Sequence, residues 1–216
     1  MYTLILANKA YSSWSLRPWI LLAHFKIPFR EIVIPLDVSD TRKKILKYSP
    51  TGKVPALVDG KVTIWESLAI MEYVAESHAD KAIWPKGKAA RAHARALASE
   101  MHAGFAALRQ ACPMNMRRAP KAIALSDAVT ADVARIEAAW AEARKTFGKA
   151  GPFLYGRFSA ADAMYAPVVN RLHVYAIPVK PTTRAYMDAM MGLPAWKAWV
   201  HDAEAETWRI AKYEAI

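Results

Sequence analysis

Residues 54–66, VPALVDGKVTIWE, decide how the first third of this chain folds. Two short apolar runs rich in β-branched residues flank Asp59-Gly60, the strongest short hairpin signal in the chain. They predict two antiparallel strands joined at that dipeptide. The next stretch, SLAIMEYVAESH (67–78), has apolar residues at helical spacing and predicts a helix. Toward the N-terminus the period changes repeatedly. YTLILA (2–7) is a short apolar run suited to a buried strand. SLRPWILLAHF (15–25) is helical in period, and Pro18 is tolerable there only within a first turn. FREIVIPL (29–36) returns to a strand pattern, and SDTRKKILKY (39–48) predicts a short helix capped by Ser39 or Asp40.

The order β-α-β-α-β-β-α needs a right-handed crossover between its first two strands, which are then parallel. The hairpin adds antiparallel strands, giving a small α/β sandwich of thioredoxin-like order. After Trp84-Pro85 and Gly87 the chain is alanine-rich and helical in period. ARAHARALASEMHAGFAALRQAC (90–112) predicts one long helix with Leu97, Met101, Phe105, Leu108 and Cys112 on a core-facing stripe, ended or kinked by Pro113. A further helix is predicted over 126–147, and another opens at SAAD (159–162), where Ser159 and Asp162 form a capping box. The expected organisation is an α/β domain over 1–80 and an all-α domain over 81–216.

The chain has 216 residues, 30 Lys and Arg against 19 Asp and Glu, and a net charge of +11. Residues 1–80 carry ten basic against eight acidic side chains, so the excess lies in the second part. The basic residues are scattered singly, and no helix-turn-helix, zinc-finger or RNA-recognition signature occurs, which argues against a nucleic-acid partner. No apolar run approaches the roughly 18–20 residues that span a bilayer, and the start of the chain lacks the pattern of a signal peptide. A soluble cytoplasmic protein without a membrane partner is expected. The one cysteine, Cys112, allows no internal disulfide and is expected to pack in the core. His24 and His102 have no neighbours at metal-ligand spacing, so no metal is assigned.

The serine-rich YSSWSLRPW (11–19) falls where the first strand hands over to the first helix. With its companions it resembles the cytosolic glutathione transferases. SSWSLR is similar to the serine motif SSCSxR of the zeta class, with Trp14 where that class has cysteine. GKVPAL (52–57) resembles the loop before the family's cis-proline, ESLAI (66–70) its Glu/Gln-Ser segment, and SAAD the capping box of its buried C-terminal helix. The likeness covers the whole chain, and within the family it is greatest to a proteobacterial branch with YSSWSLRPW and EMHxGFxALR segments.

The resemblance implies a thioredoxin-like N-terminal domain, an all-α C-terminal domain, glutathione as co-substrate and a small electrophile as acceptor. A thiol of pKa near 8.5 is only a few per cent ionised at pH 7, and the thiolate is the nucleophile. A hydroxyl donating to the sulfur, at a helix N-terminus, favours the charged form. Ser12 matches the family's catalytic serine; Ser13 and Ser15 are the alternates, with Ser15 the expected helix cap. The resemblance further implies a cis bond before Pro55, main-chain pairing of Val54 with the cysteinyl unit, Glu66 and Ser67 on the γ-glutamyl end, and Lys53 on the glycyl carboxylate. Ser67 is also expected to be an N-cap. Candidates for the acceptor pocket between the two parts are Tyr11, Trp14, Met101, Phe105, Asn115 and Tyr165. Arg109, Arg117, Arg118 and Lys121 follow those positions, and two readings stay open for them: a solvated basic surface, or a site for an anionic acceptor. The family's two-fold dimer implies a homodimer through 71–78 and 91–102. Conjugation is the leading activity. A zeta-like glutathione-dependent cis-trans isomerase is one alternative, and a non-catalytic ligand-binding module on the same fold is another.

Overall fold

The computed structural model describes residues 1–149 and 151–215. Its first part runs β1 (Tyr2–Leu6), α1 (Ser13–His24), β2 (Phe29–Val33), α2 (Thr41–Ile45), β3 (Ala56–Asp59), β4 (Val62–Trp65) and α3 (Ser67–Ser77). The sheet order is β2-β1-β3-β4, with β1 parallel to β2 and antiparallel to β3, and β3 antiparallel to β4. This is the mixed four-stranded arrangement expected from the order of elements. The period of two along β1 divides its side chains between two cores. Leu4 and Leu6 pack with α1 and α3 in the main cluster, whereas Ile5 joins Ile34, Ile45 and Ala56 on the other face. The hairpin differs by one residue from its sequence reading. Asp59 is still paired, with Val62, so the two loop residues are Gly60 and Lys61, and Gly60 takes a φ of 57°.

The second part is helical: α4 (Lys88–Ala103), α5 (Ala106–Ala111), α6 (Asp127–Phe147), α7 (Ala160–Val174), α8 (Pro181–Met191), α9 (Pro194–Ala205) and α10 (Ala211–Glu214). The long helix expected over 90–112 is two helices. Phe105 holds a left-handed φ of 61°, and a β-carbon at Gly104 would lie 2.8 Å from the Glu100 carbonyl oxygen, so the turn requires glycine there. All five residues of the predicted stripe nevertheless sit in the main core. Helix α5 ends at Ala111, two residues before Pro113. None of the described helices is long and apolar enough to cross a membrane.

Helix α7 is the hub, buried along almost its whole length and packed against α1, α4 and α8. The Ser159–Asp162 capping box opens it as predicted. The chain's end is tied back across the β1–α1 loop. The Glu206 carboxylate accepts from the Lys9 and Ala10 amides, Lys9 Nζ lies 2.6 Å from both Glu31 and Asp202, and Arg117 donates to the carbonyls of Ala203, Glu206 and Trp208.

Candidate functional site

Two adjoining clefts open where α1, the loop before β3 and the start of α3 converge. One, of about 440 Å³, is lined by Ser12, Trp14, Leu36, Arg42, Lys53 and Val54 among others. The second, of about 250 Å³, is lined by Trp14, Thr51, Lys53, Val54, Pro55, Trp65, Glu66 and His102. Trp14, Lys53 and Val54 form the wall common to both. The structure thus brings Ser12, Lys53, Val54, Pro55 and Glu66 together from three separate segments. The Val54–Pro55 peptide bond is cis.

Ser12, not Ser15, caps α1. Its Oγ accepts from the Ser15 amide at 3.3 Å, and the helix starts at Ser13. Pro18 therefore falls in the second turn, where its missing N–H leaves the Trp14 carbonyl without an intrahelical donor. Ser15 is fully buried, and its Oγ accepts from the Ala7 amide at 3.0 Å and from the Ser12 hydroxyl at 2.8 Å. The two hydroxyls form a pair in which the inner one is anchored to the main chain and the outer one borders the cleft. Ser13, half-buried, is the first helical residue.

At the start of α3 the cap position belongs to Glu66, not to Ser67. Glu66 has a φ of 68°, a conformation that costs a non-glycine residue about 1–3 kcal/mol and concentrates at ligand-binding positions. Its carboxylate lies 3.6 Å from His102 Nε2. Ser67 is the first helical residue and fully buried, with its hydroxyl directed to the Met164 sulfur at 3.8 Å. A hydroxyl that close to a sulfur is weakly held. The first amides of α3 have no intrahelical acceptor, which suits that end to an anion.

Of the six residues expected in the acceptor pocket, Trp14 alone lines these clefts. Met101, Phe105 and Tyr165 are buried in the core, the last donating to the Leu97 carbonyl. Tyr11 and Asn115 belong to the tie with the chain's end. The Tyr11 hydroxyl donates to Glu214 and accepts from Arg117, and Asn115 donates to the Tyr213 carbonyl. Burial and the Glu214 carboxylate raise the Tyr11 hydroxyl above its ordinary pKa. The sequence reading missed His102. It packs edge-on to Trp14 with ring centroids 5.1 Å apart, and burial lowers its pKa. Cys112 is buried, and its thiol is pushed up to about 11 by desolvation, so it stays protonated and unreactive near neutrality. Among the described residues no cluster of three metal-ligating side chains occurs.

With this geometry in view, the likeness to known proteins is specific. Residues 11–77 match the family model of the glutathione S-transferase N-terminal domain, and residues 126–202 that of the glutathione S-transferase C-terminal domain. A probable maleylacetoacetate isomerase of Caenorhabditis elegans is 39% identical over 95 residues, and the match spans 44% of each chain. Glutathione S-transferase F9 of Arabidopsis thaliana is 28% identical over 211 residues, spanning 82% of this chain and 93% of its own. The crystal structure of a glutathione transferase homolog from Burkholderia gl BGR1, with bound glutathione, superposes with a TM-score of 0.73 at 22% identity, covering 95% of this chain and 99% of that one. Both domain models match, in order and on the fold they describe: the chain belongs to the glutathione S-transferase family.

Proposed function

We propose that the protein binds glutathione in the two adjoining clefts and activates its thiol beside Ser12 for attack on an electrophilic small molecule. The observation that carries this reading is the convergence of Ser12, Lys53, Val54 and Glu66 on the walls of those two adjoining clefts, with Lys53 and Val54 common to both. The residues fit the tripeptide. Val54 offers main-chain groups for strand-like pairing with the cysteinyl unit. The open amides at the start of α3 and the Ser67 hydroxyl suit the γ-glutamyl carboxylate, and Glu66 suits the amino group. Lys53 suits the glycyl carboxylate. Ser12 stands at the positive end of α1, where a hydroxyl and a helix terminus both favour a thiolate. The chemistry needs no general base on the serine, because the hydroxyl is a donor to sulfur and not a nucleophile.

Calorimetry should detect glutathione binding at millimolar ligand or below. Ser67→Ala should weaken it by roughly 1–3 kcal/mol, as expected for a hydrogen bond to a charged group. Absence of any binding heat from the wild-type protein overturns the reading. An isomerase using glutathione without consuming it is the second reading. It is favoured by the match to the probable maleylacetoacetate isomerase, while Trp14 in the place of that class's cysteine favours conjugation. Recovery of unaltered glutathione after turnover separates the two.

The working form is proposed to be a two-fold homodimer through α3 and α4. These helices are joined by a two-pronged Glu72–Arg95 ion pair, both contacts 2.8 Å, beside a groove of about 430 Å³ lined by Trp84, Arg91 and acidic residues of α3. Sedimentation at micromolar protein should give the mass of two chains; a single-chain mass contradicts the dimer.

A further inference from the structure

Arg109, Arg117, Arg118 and Lys121 line neither cleft. Arg117 has another task, which it shares with Glu206: it holds the end of the chain against the turn that precedes Ser12. Residues 9–11 form that turn, between β1 and α1. Lys9 and Ala10 are buried, so their amides need acceptors within the fold. Both find the same one. The Glu206 carboxylate accepts from the Lys9 amide on Oε1 at 2.5 Å and from the Ala10 amide on Oε2 at 3.1 Å. Two successive amides closed on one carboxylate make an anion-binding nest, and such charge-assisted bonds are roughly twice as strong as neutral ones. The Met116 amide holds the Ala10 carbonyl at 2.9 Å.

Helix α9 gives no reason for an acid at position 206. Glu206 is its C-cap, at the negative end of the helix dipole, where a carboxylate is disfavoured. Arg117 offsets that: its guanidinium donates to the carbonyls of Ala203, Glu206 and Trp208, and Arg209 donates to the Glu206 carbonyl at 2.8 Å. Arg117 also donates to the Tyr11 hydroxyl at 2.5 Å, which accepts from the Ile210 amide and donates to Glu214. The final segment therefore grips Lys9, Ala10 and Tyr11 in succession. What the turn carries is Ser12. The Ser12 and Tyr11 amides both donate to the Asn8 carbonyl, at 2.9 and 3.2 Å, and the Asn8 side chain accepts from the Leu36 amide at 2.7 Å. The Ser12 hydroxyl rests on Ser15, whose oxygen is fixed by the Ala7 amide.

We propose that Glu206 is a positioning residue for Ser12: its carboxylate, delivered by the chain's final segment, fixes the turn over 9–11 so that the Ser12 hydroxyl is aimed at the glutathione sulfur. The proposal rests on the glutathione reading above and adds to it a residue that lines neither cleft. A donor works only when it is held within about 0.5 Å of its productive place, and a misplacement of about 1 Å, caused by a change far from the chemistry, can cost about a hundredfold in rate. The sign of the effect separates positioning from charge. Removing a carboxylate takes away negative potential, which by itself favours the thiolate and lowers the pKa of the bound thiol. Loosening the turn withdraws the Ser12 donor and raises it.

The test is an ultraviolet titration of the bound thiolate, with calorimetry of glutathione binding, on the full chain. Glu206→Ala should raise the bound-thiol pKa by about one unit, a tenfold loss in the ratio of thiolate to thiol. The glutathione Kd should stay within about twofold, because Lys53, Val54 and Glu66 are untouched. Turnover at neutral pH should fall by about the same tenfold and recover at high pH. Glu206→Gln keeps the shape and one acceptor oxygen, but its NH2 group cannot accept from the second amide, so it should raise the pKa by less. It carries the comparison should Glu206→Ala fail to fold. Both variants lose the same charge, so an effect of charge alone would be equal in the two and downward. Ser126→Ala removes the N-cap of α6 and lowers stability, yet should leave the bound-thiol pKa at its wild-type value. An unchanged or lowered pKa in the Glu206 variants, where the wild type binds glutathione and depresses its thiol pKa, overturns the positioning role and leaves the glutathione reading standing. An equal rise in Ser126→Ala assigns the effect to stability and also overturns it. A wild type that binds no glutathione, or binds it with the thiol at its free pKa, overturns both.

Discussion

Replacing Ser12 with alanine should raise the pKa of the bound glutathione thiol toward its free value and lower turnover at neutral pH roughly ten- to hundred-fold, the effect of one to two pKa units. Glutathione affinity should fall much less, because the contacts proposed for the tripeptide's ends lie elsewhere in the clefts. Raising the pH should restore part of the rate, since solvent then ionises the thiol without help. The structure adds two refinements. Ser12 is the N-cap of α1, so the same substitution should also cost about 0.5–2 kcal/mol of stability, and chemical denaturation of the variant separates that loss from the catalytic one. Ser12 also shares a hydroxyl–hydroxyl contact of 2.8 Å with Ser15, whose oxygen is fixed by the Ala7 amide. If the Ser15 hydroxyl turns to donate outward, the Ser12 proton is released for the sulfur. Ser15→Ala should then raise the bound-thiol pKa by less than Ser12→Ala does, through loss of that support. Ultraviolet titration of the thiolate in the three serine variants decides among them. An unchanged pKa in Ser12→Ala together with a shift in Ser13→Ala would make Ser13 the donor. No shift in any of the three would give the activation to the amides at the start of α1.

The parts of this molecule that were legible in its sequence are those fixed by short-range pattern. The alternation of periods in the first third specified the mixed sheet and its helices, and the capping box located the start of α7. The break between α4 and α5 was invisible. Leu97, Met101, Phe105, Leu108 and Cys112 keep helical spacing straight through it, and only the close approach of Gly104 to the Glu100 carbonyl reveals the turn. The start of α1 was misread for a related reason. Pro18 suggested a later helix start, but the packing of α1 against β1 and α7 holds a proline in the second turn. The site divides in the same way. Ser12, Lys53, Val54, Pro55 and Glu66 sit in contiguous motifs, and all five line the clefts. His102 lies on a helix whose apolar stripe looks like an ordinary packing surface, and only tertiary contact brings it to Trp14. Large apolar residues misled in the other direction. Met101, Phe105 and Tyr165 have the chemistry of pocket walls, yet the helical core closes over them.

Asp162→Ala is expected to be the most damaging substitution to the fold. The side chain is fully buried at the start of the hub helix α7 and accepts four hydrogen bonds: from the Leu154 amide at 3.0 Å, the Ser159 amide at 2.9 Å, the Ser159 hydroxyl at 2.8 Å and the Tyr186 hydroxyl at 3.2 Å. It thereby fastens the loop before α7, the helix itself and α8 to one carboxylate. Removing it leaves two buried amides without acceptors at about 1–3 kcal/mol each, and a total loss on the order of 4 kcal/mol follows. For a chain of this size that is a fall of roughly 10 °C in melting temperature. Asp162→Asn exposes the electrostatic part. Desolvation outweighs the four donors and raises the carboxyl to about 6 from its ordinary 3.8. The folded protein therefore holds this proton more tightly than the unfolded chain does. The associated stability is fully present below pH 3.8 and is lost as the pH rises through about 6. The hydroxyls of Ser159 and Tyr186 can each turn from donor to acceptor, which gives the protonated acid a partner. Asparagine has no such titration. The stability deficit of Asp162→Asn against wild type should thus be larger at pH 4 than at pH 7, by up to about 3 kcal/mol. Denaturant unfolding of both proteins across that range measures the difference directly. A deficit that grows with pH would mean that the four donors prevail and that Asp162 is held as a stabilised carboxylate.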